Sequence, residues 1–310
     1  MTSLLKRLLG SAPEAPQSEG LDGEELARQL EKLEGYRVLR ALDPSAGIDE
    51  LPPLAQDERL AVVVDCETTG LDPTQDRMIE IAAQRFAFDR QGRITHLERV
   101  RSWLEDPRQT LPEKVTQLTG LTDADLLDKA FDETEIVRRL STADMIVAHN
   151  AGFDRPFFDR RFPQLRDSFW ACSLSQLDWL KLGFEGRALG HLLLQSGLYF
   201  DGHRAANDVV ALTALLGRQL PDGKTIFSHL LETCVAESVR IEAVGSPFEA
   251  KDALKRRGYR WDPKGRFWWR ELQRSDLNSE TTWLDEEVYF GRGRPRLRVI
   301  TARERFAEPG

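Results

Sequence analysis

The segment Ala61-Val62-Val63-Val64-Asp65-Cys66-Glu67-Thr68-Thr69-Gly70 reads as a strand and its end. Its first four residues are apolar and mostly β-branched, the composition of a strand buried on both faces inside a mostly parallel sheet. Asp65 and Glu67 follow, and Thr68, Thr69 and Gly70 turn the chain. Residues two apart on a strand share a face, so both carboxylates project together from its C-terminal end. Like charges so placed repel each other and lose hydration unless a cation lies between them. Oxygen donors with no thiolate or imidazole pair beside them suit Mg²⁺ or Mn²⁺. Taken alone, the pair could equally be an ordinary strand end fraying into a polar turn.

Outward from this stretch the pattern is a meander followed by strand–helix alternation. Met78 to Phe88 alternates as a strand, Asp89-Arg90-Gln91-Gly92 turns, and Ile94 to Trp103 returns as a third strand. From Pro112 to about Leu140 the periodicity is helical. Asp144 to Ala148 is a short buried strand, a helix through Phe162 follows, and Phe169 to Cys172 reads as a fifth strand. Helices occupy about Leu174 to Leu220. The pattern predicts an α/β fold: a mixed five-stranded sheet flanked by helices, with one reversed strand.

Two further acidic positions stand where such sheets place their sites. Asp154 lies at a predicted helix start with Pro156 just inside, and its ordinary alternative is an N-cap. His203-Arg204-Ala205-Ala206-Asn207-Asp208 opens the helix that ends near Leu220. Asp208, Leu212 and Leu215 fall at i, i+4 and i+7, so this carboxylate shares the core-facing stripe. A bare charge there is costly, and a metal ligand is not. The alternative for Asp208 is a first-turn acid that complements the helix dipole.

Asp65-x-Glu67-Thr-Thr-Gly, His149-Asn-Ala-Gly-Phe-Asp154 and His203-x-Ala-x-x-Asp208 resemble the three exonuclease motifs of the DEDDh family, with Leu111 to Thr122 similar to the segment between the first two. That family has the ribonuclease H-like fold and includes the proofreading epsilon subunit of bacterial replicative polymerase. The resemblance covers about Leu60 to Leu220. It implies Asp65, Glu67, Asp154 and Asp208 as ligands of two divalent metal ions, Mg²⁺ or Mn²⁺, and His203 as general base. It also implies that Thr68 and Phe153 lie near the terminal nucleotide. Two ions about 4 Å apart can clamp the attacking and leaving oxygens of an in-line phosphodiester displacement. The implied activity is 3′–5′ exonucleolytic release of nucleoside monophosphates from a single-stranded or frayed nucleic acid end, DNA favoured. The alternatives are an RNA-trimming member of the family and a non-catalytic polymerase-associated nucleic-acid-binding subunit. The catalytic set does not separate proofreading, repair and RNA turnover.

Composition is consistent with this reading. Of 310 residues, 41% are hydrophobic and 30% charged, within the range of globular proteins. No apolar run approaches the roughly 20 residues of a membrane span. Residues 1–10 lack the h-region and cleavage site of a signal peptide; two Leu pairs around Lys6 and Arg7 could make a short amphipathic contact, with a frayed helix start the preferred reading. Cys66, Cys172 and Cys234 are scattered without a CxxC, so no disulfide framework or zinc site is indicated, and a reducing cytoplasm is the expected setting. The net charge of −8 argues against non-specific coating of nucleic acid. Residues 1–60 carry 7 Lys and Arg against 12 Asp and Glu, and the remaining 250 carry 36 against 39.

The sequence divides into an N-terminal extension (1–58), an exonuclease domain (59–220) and a small, basic, aromatic-rich α+β module (221–310). In the extension, residues 11–20 are linker-like, an amphipathic helix is predicted from about Asp22 to Leu42, and residues 43–58 form a second linker. In the module, Val239 to Val244 reads as a strand. Ser246 to Glu249 reads as a capping box for a helix to Arg257. Tyr259 to Trp261 and Phe267 to Leu272 read as a hairpin. Residues 251–270 hold eight Lys and Arg against two Asp. Tyr259, Trp261, Trp268 and Trp269 amid Lys255, Arg256, Arg257, Arg260 and Arg266 suit either stacking on unpaired bases or the core of a small module. Arg292, Arg294, Arg296 and Arg298 add a basic strip at period two. Deleting residues from Val239 onward is expected to spare cleavage of very short substrates. Gln176 to Leu180 resembles the short peptides that bind bacterial sliding clamps, but it lies inside the expected fold, where its apolar residues would be core.

Overall fold

In a computed structural model that describes residues 22–307, the decisive stretch lies within strand β1 (Arg59–Thr68). The described residues divide into two compact units, one ending at Arg40 and the other beginning at Ala41. The amphipathic reading of residues 1–10 and the linker reading of 11–20 fall outside the described residues. In the first unit, helix α1 (Gly23–Leu30) starts where Asp22 accepts from the Glu24 N–H at 3.1 Å. It stops at Leu30, well short of the expected Leu42. Leu26, Leu30 and Leu33 are exposed, and Gly35 takes a positive φ of 85°. Without a buried stripe, a polar helix of this length has little to prolong it.

The second unit is built on a mixed sheet. β1 pairs antiparallel with β2 (Met78–Phe88) and parallel with β5 (Met145–Ala148), which pairs parallel with β6 (Trp170–Cys172). Beyond β2, two strands stand where one was predicted, so the sheet has six strands. β3 (Ile94–Leu97) pairs with the end of β2 and β4 (Arg101–Leu104) with its start. The break has a physical cause. The Leu97 carbonyl accepts from Ile48 N–H at 2.9 Å, and Arg99 N–H donates to the Ile48 carbonyl at 2.8 Å. Between them Glu98 turns fully inside, where Arg85 (2.7 Å) and Arg139 (2.8 Å) hold its carboxylate.

Helices cover both faces. The predicted helical stretch 112–140 is three helices, α2 (Glu113–Thr119), α3 (Asp123–Leu126) and α4 (Glu133–Ser141). Gly120, at φ 72°, ends the first. Then come α5 (Ala151–Arg161), α6 (Leu189–Gln195), α7 (Ala205–Gly217) and α8 (Ile226–Cys234). The two-residue period of β1 divides its side chains between two cores. Ala61 and Val63 pack with Val209, Leu212 and Leu215 of α7. Val62, Val64 and Cys66 pack with Ile136, Phe157, Phe158 and Trp170 on the other face. Each fully buried valine contributes about 1.5–3 kcal/mol, which fixes the register of the strand.

Packing draws its seams away from the predicted boundaries. Ile226, Phe227 and Leu230 of α8 sit in the α7-side core with Phe86 and Phe88, so a division at Leu220 would cut through that core. Residues 41–58 belong to the second unit, which they join through the Ile48 bonds. The clamp-like segment is interior at two of its three apolar residues: Leu177 and Trp179 are buried, and the Trp179 indole donates to the Ser173 carbonyl at 2.9 Å, whereas Leu180 is 78% exposed, against the expectation that it is core.

After α8 the chain forms a four-stranded antiparallel sheet. Its elements are β7 (Ser238–Ala243), α9 (Lys251–Arg256), β8 (Arg260–Asp262), β9 (Phe267–Gln273), α10 (Leu277–Leu284) and β10 (Arg296–Ile300). The spatial order is β8-β9-β7-β10, a split β-α-β arrangement. Ile241, Ala243, Leu254, Tyr259, Leu272 and Leu284 form its core. The expected capping box is absent. Winding begins with a 3-10 turn at Phe248–Ala250, and α9 follows from Lys251 with Ala250 at its N-cap and no side-chain cap. The last turn of the chain ties this sheet to the larger one. Arg305, buried, donates to the Cys234 (2.9 Å) and Ala236 (2.6 Å) carbonyls. Arg155, buried in α5, donates to the carbonyls of Arg303 and Arg305, both at 2.6 Å.

Candidate active site

Asp65 and Glu67 continue the Ala61–Val63 face of β1, the face against which α7 packs. Asp208, one turn into α7, meets them there. One carboxylate oxygen from each of Asp65, Glu67 and Asp208 lies within 4.8 Å of the others. Asp154 arrives from the opposite helix layer. It is buried at 2% exposure, and the Cys66 thiol donates to its Oδ1 at 3.4 Å. It is not an N-cap: α5 begins at Ala151 with Asn150 before it. Pro156 therefore stands inside the helix.

The electrostatics of this end of the sheet are those of an acidic cluster without enough cations. Burial, then the charges of Asp208, Glu80 and Asp154, push the Glu67 carboxyl up to about 8. Burial followed by Asp154 holds Asp65 well above the usual carboxylate range. Burial raises Asp154 against the opposing Cys66 bond, and raises Asp208 against the opposing backbone and ring of His203. The Oδ2 atom of Asp208 is buried with no hydrogen-bond partner. An acceptor left bare beside two further carboxylates fits a hard divalent cation.

His203 sits on the loop before α7, solvent-exposed, in the left-handed region at φ 65°. His149, from the second motif, is a strut. Its Nε2 donates to the Arg187 carbonyl at 2.9 Å, its Nδ1 accepts from Ser173 at 2.8 Å, and burial lowers it to about 4. Thr68 is buried and donates to the Gly70 carbonyl at 2.5 Å. Asp76 staples this turn by accepting from Thr69 Oγ1 (3.2 Å) and Asp72 N–H (2.9 Å). A Cβ on Gly70 would fall 2.5 Å from the Asp76 carboxylate, so a larger residue here would push Asp76 off its bonds to this turn. Phe153 packs half-buried against Phe157, their rings 5.2 Å apart.

The sequence reading missed Glu80. It faces Glu67 directly across the β1–β2 pair and is fully buried. Its carboxylate accepts from Arg204 Nε (3.0 Å) and Nη2 (3.3 Å) and from the Ala205 N–H (3.3 Å). It thereby anchors the first turn of α7, which carries Asp208 and follows His203. A glutamate in an otherwise apolar strand, Met78-Ile79-Glu80-Ile81-Ala82-Ala83, was the signal available in the sequence.

Comparison with known proteins follows from this geometry. Residues 62–216 match the sequence model of the RNase_T family, described as exonuclease. The chain is 34% identical over 154 residues to the DNA polymerase III subunit epsilon of Treponema pallidum, covering 46% of this chain and 68% of that protein. It is 29% identical over 208 residues to the PolC-type DNA polymerase III of Bacillus subtilis, covering 62% of this chain and only 14% of that one. Among solved structures it is similar to Exonuclease X in complex with 5′ overhanging duplex DNA. That match has 23% identity and a TM-score of 0.39, over 54% of this chain and 99% of the other. It is also similar to Escherichia coli Exonuclease I in complex with a dA16 oligonucleotide, at 19% identity and a TM-score of 0.44, over 79% and 64%.

Proposed function

The chain belongs to the RNase_T exonuclease family, and on that premise we propose that it is a metal-dependent 3′–5′ exonuclease acting on DNA ends. The observation that carries the proposal is the unbalanced acidic cluster, Asp65, Glu67 and Asp208 within 4.8 Å with a buried, partnerless oxygen on Asp208. These three carboxylates, with Asp154 behind them, would hold two divalent ions. When bound, such ions neutralise the cluster, polarise the scissile phosphate and lower the pKa of an attacking water.

In this reading His203, exposed on its loop before the helix that carries Asp208, takes the proton of that water. The water oxygen attacks phosphorus and the bond to the 3′-oxygen of the penultimate nucleotide breaks. That oxygen takes up a proton, and a nucleoside 5′-monophosphate leaves. Glu80 and Arg204 hold the start of α7 so that His203 and Asp208 keep their relation. Thr68 and Phe153 flank the path of the terminal nucleotide in this reading. DNA is favoured because the relatives are named as DNA polymerase III components, which also suggests association with a replicative polymerase.

The test offers purified protein 5′-labelled single-stranded DNA, duplex DNA and RNA of one sequence, with Mg²⁺ or Mn²⁺. Stepwise shortening of single-stranded DNA with release of mononucleotides is expected. Activity that persists in chelator, or internal cleavage, overturns the mechanism. Faster trimming of RNA overturns the DNA assignment.

A further inference from the structure

The C-terminal sheet uses part of its aromatic and basic content for itself. Tyr259 and Arg257 are bound to the buried carboxylate of Glu280, and Arg240 lies 4.2 Å from the centre of the Trp269 ring. These residues are structural. A second set is not absorbed, and the strand register gathers it at one end of the sheet. β8 ends at Asp262 opposite Phe267, Trp268 opposes Ala243 at the end of β7, and β10 starts at Arg296 opposite Glu242. The turn after β7, the β8–β9 hairpin loop and the segment leading into β10 therefore emerge together.

Large aromatic rings face water there. Phe248 is 74% exposed, Phe290 is 71% and Trp261 is 48%. Phe290 holds φ at 50° where it caps the helical turn Asp285–Tyr289, and its ring stays outside the core. Between the loops lies a cavity of about 370 Å³ lined by Gly245, Pro247, Val288, Tyr289, Phe290 and Arg292. Lys264, Arg266, Arg292 and Arg294 surround this end, exposed and, among the described residues, without a carboxylate partner. Lys251 Nζ stands 4.3 Å from the Phe248 ring centre. From residue 245 to 266 there are 7 Lys and Arg against 3 Asp and Glu, and from 290 to 296 there are 3 against none, in a chain of net charge −8. The acidic run Asp285, Glu286 and Glu287 precedes this segment and confines the positive surface to the loops and the hairpin.

We propose that this end of the C-terminal sheet is a second binding surface, and that its occupant is single-stranded nucleic acid. Unpaired cations match phosphates, and exposed rings match unpaired bases, whose flat faces stack without regard to sequence. An acidic peptide satisfies the cations and leaves the rings unused, and a duplex hides the base faces the rings require. The proposal rests on the exonuclease reading for the nature of the polyanion.

The test uses full-length protein in chelator and a fluorescein-labelled 20-nucleotide oligo(dT), followed by anisotropy. Phe248→Ala with Phe290→Ala should weaken binding about tenfold or more, in line with the loss of base stacking. Lys264→Gln, Arg266→Gln, Arg292→Gln and Arg294→Gln should each flatten the slope of log affinity against log salt by about 0.7. All these side chains are exposed, so melting temperatures should match wild type, and hydrolysis of thymidine 5′-monophosphate p-nitrophenyl ester with Mn²⁺ should be unchanged. Wild-type affinity and salt slope in both sets of variants overturn the proposal. A larger loss for duplex DNA or for poly-glutamate than for oligo(dT) reassigns the surface and overturns the single-strand occupant. Failure of wild-type protein to cleave the ester counts against the exonuclease reading alone, because binding is measured separately.

Discussion

Two groups of buried acids in this chain have opposite surroundings. Glu98, at the break between β3 and β4, is fully enclosed and held by Arg85 and Arg139. Glu280, in the C-terminal sheet's core, is met by Arg257, Arg270 and the Tyr259 hydroxyl. At the end of β1, Asp65, Glu67, Asp154 and Asp208 face one another, and Arg204 is spent on Glu80. A buried charge with its partners in place holds structure together. A cluster whose carboxyls are pushed upward by burial and by each other is unfinished without a cation. The difference separates architecture from chemistry within a single chain.

The sharpest way to break this comparison is to neutralise one acid of each kind. Asp65→Asn or Asp208→Asn should lower hydrolysis by at least about a thousandfold, since metal binding provides several kcal/mol of charge stabilisation. The metal-free variants should fold, with a melting temperature equal to or above wild type. Glu98→Gln should do the reverse, costing about 3–5 kcal/mol of stability because Arg85 and Arg139 are left without their carboxylate. Thermal unfolding and turnover measured on the same preparations decide between the two patterns, and a stability loss in Asp65→Asn would contradict the assignment.

His203 tests the proton transfer. His203→Ala should reduce the rate by about 10²–10⁴-fold. Wild-type turnover in His203→Ala assigns the base elsewhere.

Truncation separates the two sheets. The sequence suggests that removing residues from Val239 onward spares the catalytic centre. The structure argues otherwise, because Arg155 in α5, next to Asp154, would lose the Arg303 and Arg305 carbonyls, and Phe306 would leave the second core. A buried guanidinium without these acceptors costs more than about 3 kcal/mol, and a melting point lowered by roughly 6–12 °C is expected. Truncated protein that melts with wild type would show the sheets to be independent.

The same cluster gives metal-free stability a pH dependence. Glu67 moves from an ordinary 4.5 to about 8 in the folded chain. Between those values the folded state holds a proton that the unfolded state has released, so stability falls as pH rises from about 4.5 through about 8. Divalent metal should flatten this slope, since it favours the ionised carboxyl. Denaturant titrations across that range with and without Mg²⁺ measure it, and a slope of opposite sign would place the cluster in a different electrostatic setting.

The catalytic half of the fold was legible because its signals are local. The β-branched run before Asp65, the period-two spacing to Glu67 and the i, i+4, i+7 stripe from Asp208 to Leu215 are short-range, and burial on two faces leaves each a single solution. Family motifs carried the order of the four acids. What the sequence did not contain is the identity of partners distant along the chain. Glu80 meets Arg204 across 124 positions, Ile48 splits the third strand, and Arg155 reaches the final turn. Composition left the aromatic and basic residues of the C-terminal module open between a base-stacking surface and the core of a small module. Only packing could divide them into rings and guanidinium groups that serve the core, such as Tyr259 and Arg257, and those left facing water, such as Phe248 and Phe290. Burial is a property of the assembled surface, and the same residue types meet opposite fates according to which neighbours the sheet brings beside them.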